Sequence, residues 1–256
     1  MKLATTVVLM CLALCGAAEA GSIPCGAQNF SDPLRLSRVQ ADRAAGAPLR
    51  VLAIGSSSTE GVGATSPQFS YPAQLQGELA RRIPGAPVTV VNAGIGGEKA
   101  DATLARLRSA VADGGFDLVL WQVGTNDALA GGEVGPFRDM LREGIATVRN
   151  AGLGLMIIDQ QYFPAIKDGR RYRAFVAAVR EEAAAARVPV FHRHDMMQAW
   201  VDAGGAERLE AALAPDRFHM NDAGYACLAQ KLAGVIADAA ATAGPMASAQ
   251  PAQTVQ

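Results

Sequence analysis

Hydrophobic residues in this sequence are concentrated in five short runs, each rich in β-branched or large aliphatic side chains. The runs cover residues 49–54, 88–91, 118–123, 153–158 and 188–191. Because longer stretches with helical spacing separate them, the pattern predicts a parallel sheet covered by helices on both faces. Crossovers between parallel strands are right-handed, so we expect an α/β fold, a three-layer αβα sandwich around a five-stranded parallel sheet.

The stretches between the runs carry hydrophobic residues three or four positions apart, as on the buried face of an amphipathic helix. One stripe ends at Pro84 and a second near Gly152, while the last is predicted over residues 222–240 with Asn221 as its N-cap. The stripes consist of Leu75, Leu79 and Ile83, then Phe137, Leu141, Ile145 and Val148, and finally Leu228, Leu232, Val235 and Ile236. No linker divides this region, so we expect one folded domain over residues 49–242.

The first 20 residues resemble a secretory signal peptide. Lys2 precedes an apolar run over residues 3–14, and Ala18-Glu19-Ala20 offers small residues at a cleavage site after Ala20. The run is too short to span a bilayer and no later stretch is long enough, so we expect no stable membrane insertion after cleavage. A lipoprotein acylated at Cys15 is the alternative, which the large Leu14 disfavours. A periplasmic or secreted location is therefore predicted.

Two further segments flank the predicted domain. Residues 21–48 are expected to form an N-terminal extension. Residues 243–256 lack apolar periodicity and are rich in Ala, Gln, Ser and Pro, so we expect a disordered tail.

Charge and cysteine content restrict the partners and the compartment. The 23 basic and 24 acidic residues give a net charge of −1 at pH 7 with no basic stripe, so nucleic acid is not an expected partner. The pattern does not indicate the oligomeric state. Signal cleavage would leave Cys25 and Cys227, which suggest one disulfide in an oxidising compartment. Two unpaired thiols are the alternative.

Three small-residue turns follow predicted strands, at the sheet edge where open α/β folds bind ligands. The turn at residues 55–59, Gly-Ser-Ser-Ser-Thr, presents the hydroxyl of Ser57. The glycines of residues 92–99 allow backbone N–H groups to approach a ligand, although they complete no nucleotide-binding pattern. The turn at residues 122–127 carries Asn126, an uncharged amide suited to binding an oxyanion. Each turn alone is equally typical of ordinary strand ends.

Asp216 and His219 lie about 160 residues after Ser57 and three positions apart, so one helical turn would set them side by side. A serine, an imidazole base and an orienting carboxylate are the parts of nucleophilic ester hydrolysis. The three residues therefore suggest an ester-cleaving site.

The four motifs, in this order and each after its strand, resemble the SGNH hydrolases, also called GDSL esterases and lipases, from about residue 50 to residue 240. The resemblance implies a flavodoxin-like sheet, no cofactor, Ser57 as nucleophile, His219 as base and Asp216 as the group that orients it. It further implies an oxyanion hole made by the N–H groups of Ser57 and Gly97 and the amide of Asn126. Ser56 departs from the family, which usually has Asp before the nucleophile, and we expect this to alter local hydrogen bonding more than the reaction.

The resemblance implies a serine esterase that works through an acyl-serine. Because no long apolar insertion suggests a lid, we expect short-acyl esters, either small molecules or acetylated glycans of the envelope or the exterior. Gln160, Gln161 and Tyr162 follow the fourth strand and are expected to line the substrate crevice. The alternatives are a lysophospholipase or thioesterase, a periplasmic O-acyltransferase that transfers the acyl group to a sugar, and a glycan-binding relative without catalysis.

His192-Arg193-His194-Asp195 superficially suggests a metal site. No third ligand is identifiable, so we expect a polar turn at a strand end and no bound metal. Met196, Met197 and Trp200 are expected to be packing residues.

Overall fold

The computed structural model of the protein describes residues 25–36, 47–85 and 87–241. The predicted signal peptide with its cleavage site, part of the predicted N-terminal extension and the predicted disordered tail therefore lie outside the described residues. None of the described helices is both long enough and apolar enough to cross a membrane.

Five parallel strands form the sheet, in the spatial order β2-β1-β3-β4-β5. They are β1 (Leu49–Gly55), β2 (Val88–Gly94), β3 (Leu118–Gln122), β4 (Gly154–Ile158) and β5 (Val190–Phe191). This confirms the predicted fold class and the position of every predicted strand. The order reverses direction between β1 and β3, the point at which doubly wound sheets open a ligand crevice at the carboxyl ends of the strands.

Helices connect the strands and cover both faces of the sheet. They are α1 (Ser57–Glu60), α2 (Tyr71–Arg82), α3 (Ala100–Asp113), α4 (Thr125–Leu129), α5 (Val134–Asn150), α6 (Gly169–Ala185), α7 (Arg193–Glu210) and α8 (Asp222–Ala241), with a short 3₁₀ turn at Pro67–Phe69. The predicted stripes on α2, α5 and α8 face the core. Asn221 caps α8, because its Oδ1 accepts a hydrogen bond from the N–H of Gly224 at 3.0 Å.

Alternate residues of each central strand point to opposite faces of the sheet, so two hydrophobic clusters sandwich it. In β1, Val51 and Ala53 belong to the cluster beneath α2 and α8. Leu52 and Ile54 belong to the cluster beneath α3, α5 and α6. Met196, Met197 and Trp200 are buried in the first cluster, which confirms their predicted packing role.

The described part of the N-terminal extension, residues 25–36, lies against the outer edge of β5. Asp32 donates its N–H to the carbonyl of Val190 at 3.0 Å, and the N–H of Val190 returns a bond of 3.0 Å to the Asp32 carboxylate. Cys25 is joined to Cys227 of α8 by a disulfide, with their Cα atoms 5.3 Å apart. This segment therefore packs with the domain that follows it.

The polar turn predicted at residues 192–195 is wrong. Helix α7 begins at Arg193, directly after the two-residue strand β5, and the Arg193 side chain is fully buried. Its Nε donates to the carbonyl of Asp159 at 3.0 Å. The sequence offered little warning, because buried arginines are rare.

Candidate active site

Ser57 is the first residue of α1, immediately after the tight turn that ends β1. The carbonyl of Ser56 accepts hydrogen bonds from the N–H groups of Thr59 and Glu60 at 2.9 and 3.0 Å, which starts the helix at once. Gly55 is needed for this turn, since a Cβ there would lie 2.8 Å from the carbonyl oxygen of Gln122. The short turn leaves the Ser57 hydroxyl at the open end of the sheet.

The structure brings the three residues of the predicted triad together in one relay. Ser57 Oγ lies 2.8 Å from Nε2 of His219, and Nδ1 of the same imidazole lies 2.6 Å from Oδ2 of Asp216. The second carboxylate oxygen of Asp216 accepts the backbone N–H groups of Phe218 and His219, each at 3.0 Å. This geometry lets the imidazole take a proton from the serine while the carboxylate holds its tautomer.

The three-residue spacing of Asp216 and His219 suggested that a helical turn sets them side by side. The structure has no helix there. Residues 214–220 form an irregular loop in which the Asp216 side chain caps its own backbone, and Arg217 has φ of +57°. A local side-chain-to-backbone turn of this kind is favoured by aspartate. The pairing of Asp216 with His219 is therefore a property of the loop.

Asp216 remains a carboxylate in this loop. Partial burial by itself would raise its pKa, but the hydrogen bonds from His219 and from the two backbone N–H groups outweigh burial and hold the pKa below its ordinary value. The side chain is 45% exposed, whereas that of His219 is 15% exposed. The charge that would stabilise an imidazolium is thus present throughout the neutral range.

The predicted oxyanion donors lie on the three neighbouring segments that follow β1, β2 and β3. Gly97 has φ of +78°, a conformation that favours glycine. Within the described residues, the N–H groups of Ser57 and Gly97 have no hydrogen-bond acceptor. Asn126 uses its side-chain amide to donate to the carbonyl of Glu98 at 2.7 Å. An amide carries two N–H bonds, so one remains for a ligand.

Glu60 connects α1 to residues 95–99, the segment after β2 that carries Gly97 and is called the oxyanion loop below for its predicted role. Sequence analysis missed this contact. Its carboxylate accepts the N–H of Gly96 at 2.7 Å, and its carbonyl accepts the side-chain amide of Asn92 at 3.2 Å. Gly94 packs so closely that a Cβ there would collide with the backbone of Glu60. The only signal in the sequence was an acidic residue three positions after Ser57. Glu60 thus occupies the N–H of Gly96, whereas the next N–H, that of Gly97, has no acceptor among the described residues.

Asp127 supports the same region from beneath. It is 6% exposed, and both of its carboxylate oxygens accept the N–H of Ala100, at 3.1 and 3.2 Å. Burial raises its pKa despite these bonds. Since Ala100 begins α3, Asp127 fastens the end of the oxyanion loop to the helix that carries Asn126.

Ser56 turns its side chain into the protein. The carboxamide oxygen of Gln122 accepts the N–H of Ser56 at 3.0 Å, the Ser56 hydroxyl at 3.2 Å and the Thr59 hydroxyl at 3.2 Å. Gln122 is 2% exposed, so this group fixes the turn from its buried side.

The prediction that Gln160 and Gln161 line the crevice is wrong, because both side chains are buried. Gln161 instead accepts the hydroxyl of Ser58 at 3.2 Å and donates to the carbonyl of Phe218 at 3.0 Å, which ties the serine turn to the histidine loop. Tyr162 is partly exposed and lies in a neighbouring cleft. Glutamines are mostly exposed in proteins, so nothing in the sequence indicated that these two are buried.

The remaining histidines lie near β5 and bind carboxylates. Nε2 of His192 is 3.2 Å from Asp32, and Nδ1 of His194 is 3.4 Å from Asp195. Across the described ranges, no group of three or more His, Cys, Asp and Glu residues is arranged to hold a metal ion.

Comparison with known proteins identifies the family. The sequence matches the non-GDSL lipase-like family over residues 24–242. The chain belongs to that family. Together with the fold, membership of the non-GDSL lipase-like family confirms the predicted relation to SGNH or GDSL-type ester hydrolases. The family name fits a chain with Gly55-Ser56-Ser57-Ser58 where a Gly-Asp-Ser-Leu sequence would stand.

Solved structures share the fold at low sequence identity. A two-domain esterase active on acetylated mannans has a TM-score of 0.66 and 21% identity, with 89% of this chain and 58% of that chain covered. An acetyl xylan esterase has a TM-score of 0.64 and 19% identity, with coverage of 73% and 100%. The protein TesA has a TM-score of 0.62 and 23% identity, with coverage of 73% and 97%. The chain thus spans a little over half of the two-domain esterase. No curated protein matches the sequence significantly.

Proposed function

We propose that this protein is a serine esterase that hydrolyses short-acyl carboxylic esters through an acyl-serine intermediate. The observation that carries the proposal is the continuous hydrogen-bonded relay from Asp216 through His219 to Ser57, with unpartnered N–H groups beside the serine. Family membership supports the same reaction class.

Acylation begins when Ser57 Oγ attacks the carbonyl carbon of the ester. Nε2 of His219 takes the serine proton, while Nδ1–H donates to Asp216, which stabilises the imidazolium. The carbonyl electrons move to oxygen and form a tetrahedral oxyanion. When it collapses, the C–O bond to the alcohol breaks, and His219 returns its proton to the departing alcohol oxygen.

Deacylation repeats the sequence with water. His219 takes a proton from a water molecule whose oxygen attacks the acyl-serine carbonyl. As the second tetrahedral intermediate collapses, the bond between the acyl carbon and Ser57 Oγ breaks, and His219 returns its proton to that oxygen, which frees the acid. In both steps the N–H groups of Ser57 and Gly97 and the amide of Asn126 donate to the oxyanion. Each well-placed donor contributes roughly 3 kcal/mol of transition-state stabilisation.

We further propose that the ester belongs to a glycan outside the cytoplasm and that the acyl group is short. Two structural relatives act on acetylated mannans or acetylated xylan by name, and the sequence predicts a secretory signal. The segments that join β1, β2 and β3 to the next helices are short, which leaves little chain there to enclose a long acyl group.

A second candidate is a lysophospholipase, which one observation favours. The most exposed large hydrophobic residues among those described are Val62, Phe69, Ile95 and Leu129. All four lie on the segments that follow β1, β2 and β3, the same edge that carries Ser57. An apolar surface around the site would suit an amphiphilic ester.

The acyl length preference separates the two candidates. The purified protein should be assayed for kcat/KM on aryl esters from acetyl to palmitoyl, and we expect a maximum at acetyl to butyryl. A maximum at eight carbons or longer would replace the short-acyl assignment with lysophospholipase or lipase activity. Labelling of Ser57 by a serine-reactive phosphonate, located by peptide mapping, tests the acyl-serine independently of the substrate.

A further inference from the structure

A cleft of about 450 Å³ lies between the segment that follows β4 and the helices α6 and α7. Tyr162 and Phe163 form one wall, and Arg173, His194 and Gln198 contribute polar groups to the others. The reaction proposed above uses none of these five side chains.

Two ring contacts connect the cleft to His219. The ring of Phe163 packs edge-on against Phe218, with ring centres 4.9 Å apart, and Phe218 packs in the same way against the His219 imidazole, also at 4.9 Å. Only two ring contacts therefore separate the cleft from the group that would activate Ser57.

The lining combines flat apolar surface with hydrogen-bonding groups. Tyr162 and His194 pack edge to face with ring centres 5.3 Å apart, which fixes the orientation of the Tyr162 ring. Gln198 uses its amide N–H to bind Asp202 at 3.0 Å, which fixes that side chain in turn. Aromatic walls with a few convergent polar groups are the usual lining of a small-molecule site, and they suit a sugar ring, which has both C–H faces and hydroxyl groups.

The positive charge of Arg173 favours a negatively charged sugar over a neutral one. Its side chain is exposed, and among the described residues it has neither a carboxylate partner nor a hydrogen-bond acceptor. Lys167 and Arg170 are exposed nearby in sequence, while Asp168 is paired with Arg171. A guanidinium without a partner favours a carboxylate, which it can bind through two parallel hydrogen bonds. An acyl chain in the cleft would instead leave this charge against an apolar ligand, which is unfavourable.

We propose that this cleft is a binding subsite for a carboxylate-bearing sugar of the glycan whose ester group reaches Ser57. The proposal rests on the proposed esterase function and names its substrate class, an esterified acidic polysaccharide. Tyr162 would pack against the sugar face, and Arg173 would bind the carboxylate.

Binding can be tested without turnover. Isothermal titration of the Ser57→Ala protein with oligogalacturonate, and with a neutral xylo-oligosaccharide of the same length, compares acidic and uncharged sugars directly. We expect tighter binding of the oligogalacturonate, and roughly tenfold weaker binding when Arg173→Gln is added, as for one charged hydrogen bond. Tyr162→Ala should weaken both ligands. Arg81→Gln, another exposed arginine on the distant helix α2, is the matched control and should change neither.

A catalytic comparison separates the subsite from the esterase itself. Arg173→Gln should leave kcat/KM for an aryl acetate unchanged but raise KM for acetylated polygalacturonate. Equal binding of acidic and neutral sugars, or an Arg173→Gln protein that binds oligogalacturonate like its parent, would overturn the subsite. Loss of aryl acetate hydrolysis in the parent protein, with acidic-sugar binding intact, would instead refute the esterase and leave the subsite in place.

Discussion

The two halves of the candidate triad are built in different ways. Ser57 stands at a junction of a strand, a helix and a neighbouring loop, where the side chains of Gln122, Glu60 and Asp127 accept hydrogen bonds from backbone N–H groups. His219 stands in an irregular loop whose partner carboxylate is half exposed. Backbone packing therefore fixes the nucleophile, whereas ionisation and a local turn fix the base. We expect the first half to respond chiefly to changes in shape and the second to changes in pH.

Removing the nucleophile should have the largest effect. Ser57→Ala should lower kcat by roughly 10⁴-fold or more, because no neighbouring hydroxyl can attack the same carbonyl. Ser56 and Ser58 both point into the protein, towards Gln122 and Gln161. Ser56→Ala and Ser58→Ala are therefore the matched controls, and each should keep most of the activity with an unchanged circular dichroism spectrum. An active Ser57→Ala protein would refute the assignment.

Neutralising the carboxylate tests the other half. Asp216→Asn should lower kcat by roughly 10³- to 10⁴-fold, because the amide no longer selects the tautomer in which Nε2 accepts the serine proton. Since a general base must be unprotonated to accept the serine proton, activity of the unchanged protein should rise with pH. A variant with ordinary turnover across the pH range would show that another group orients His219.

The same variant tests a link between Asp216 and stability. The pKa of Asp216 is lower in the folded protein than in the unfolded chain, so its interactions stabilise the fold above the unfolded-state pKa. That stabilisation is lost as the pH falls through the folded-state value. The difference in the free energy of unfolding between the parent and Asp216→Asn, measured in urea, should therefore be larger at pH 7 than at about pH 2. An equal separation at both pH values would contradict the assigned pKa shift.

The oxyanion amide should matter less than either triad member. Asn126→Ala should lower kcat by roughly 10²-fold without moving the rising limb of the pH profile, since an amide does not titrate. Asn126→Asp is a useful companion, because a carboxylate of nearly the same shape would oppose the oxyanion. A displaced limb in Asn126→Ala would mean that the residue acts on His219.

Substitution of Glu60 should give the smallest change in kcat. It tests whether hydrogen bonds between the segments position the oxyanion donors. Glu60→Ala frees the Gly96 N–H and should lower kcat several-fold through a less ordered oxyanion loop, with KM little changed. Glu60→Gln keeps an acceptor for that N–H and should recover most of the loss. If Gln and Ala lower kcat equally, the charge of Glu60 matters and its proposed positioning role is wrong.

The strands and the triad residues were accessible from sequence because each depends on a local signal. The run from Leu49 is a buried strand, and Ser57 follows it in a small-residue turn. The burial of Gln160, Gln161 and Arg193 was not accessible, because it depends on which layer of the fold faces each side chain. Glu60 was missed for a related reason, since its importance arises only when the end of β2 is brought against it.

The disulfide between Cys25 and Cys227 indicates at which stage of folding the candidate active site assembles. The two cysteines are 202 positions apart, and helix α8 completes the hydrophobic cluster on one face of the sheet, together with Leu75 and Leu79 of α2. Asp216 and His219 lie just before that helix. Long-range pairings of this kind form late in folding. The serine turn can therefore form early during synthesis, but the relay assembles only once the C-terminal part of the chain has docked, so we expect an incomplete chain to be inert.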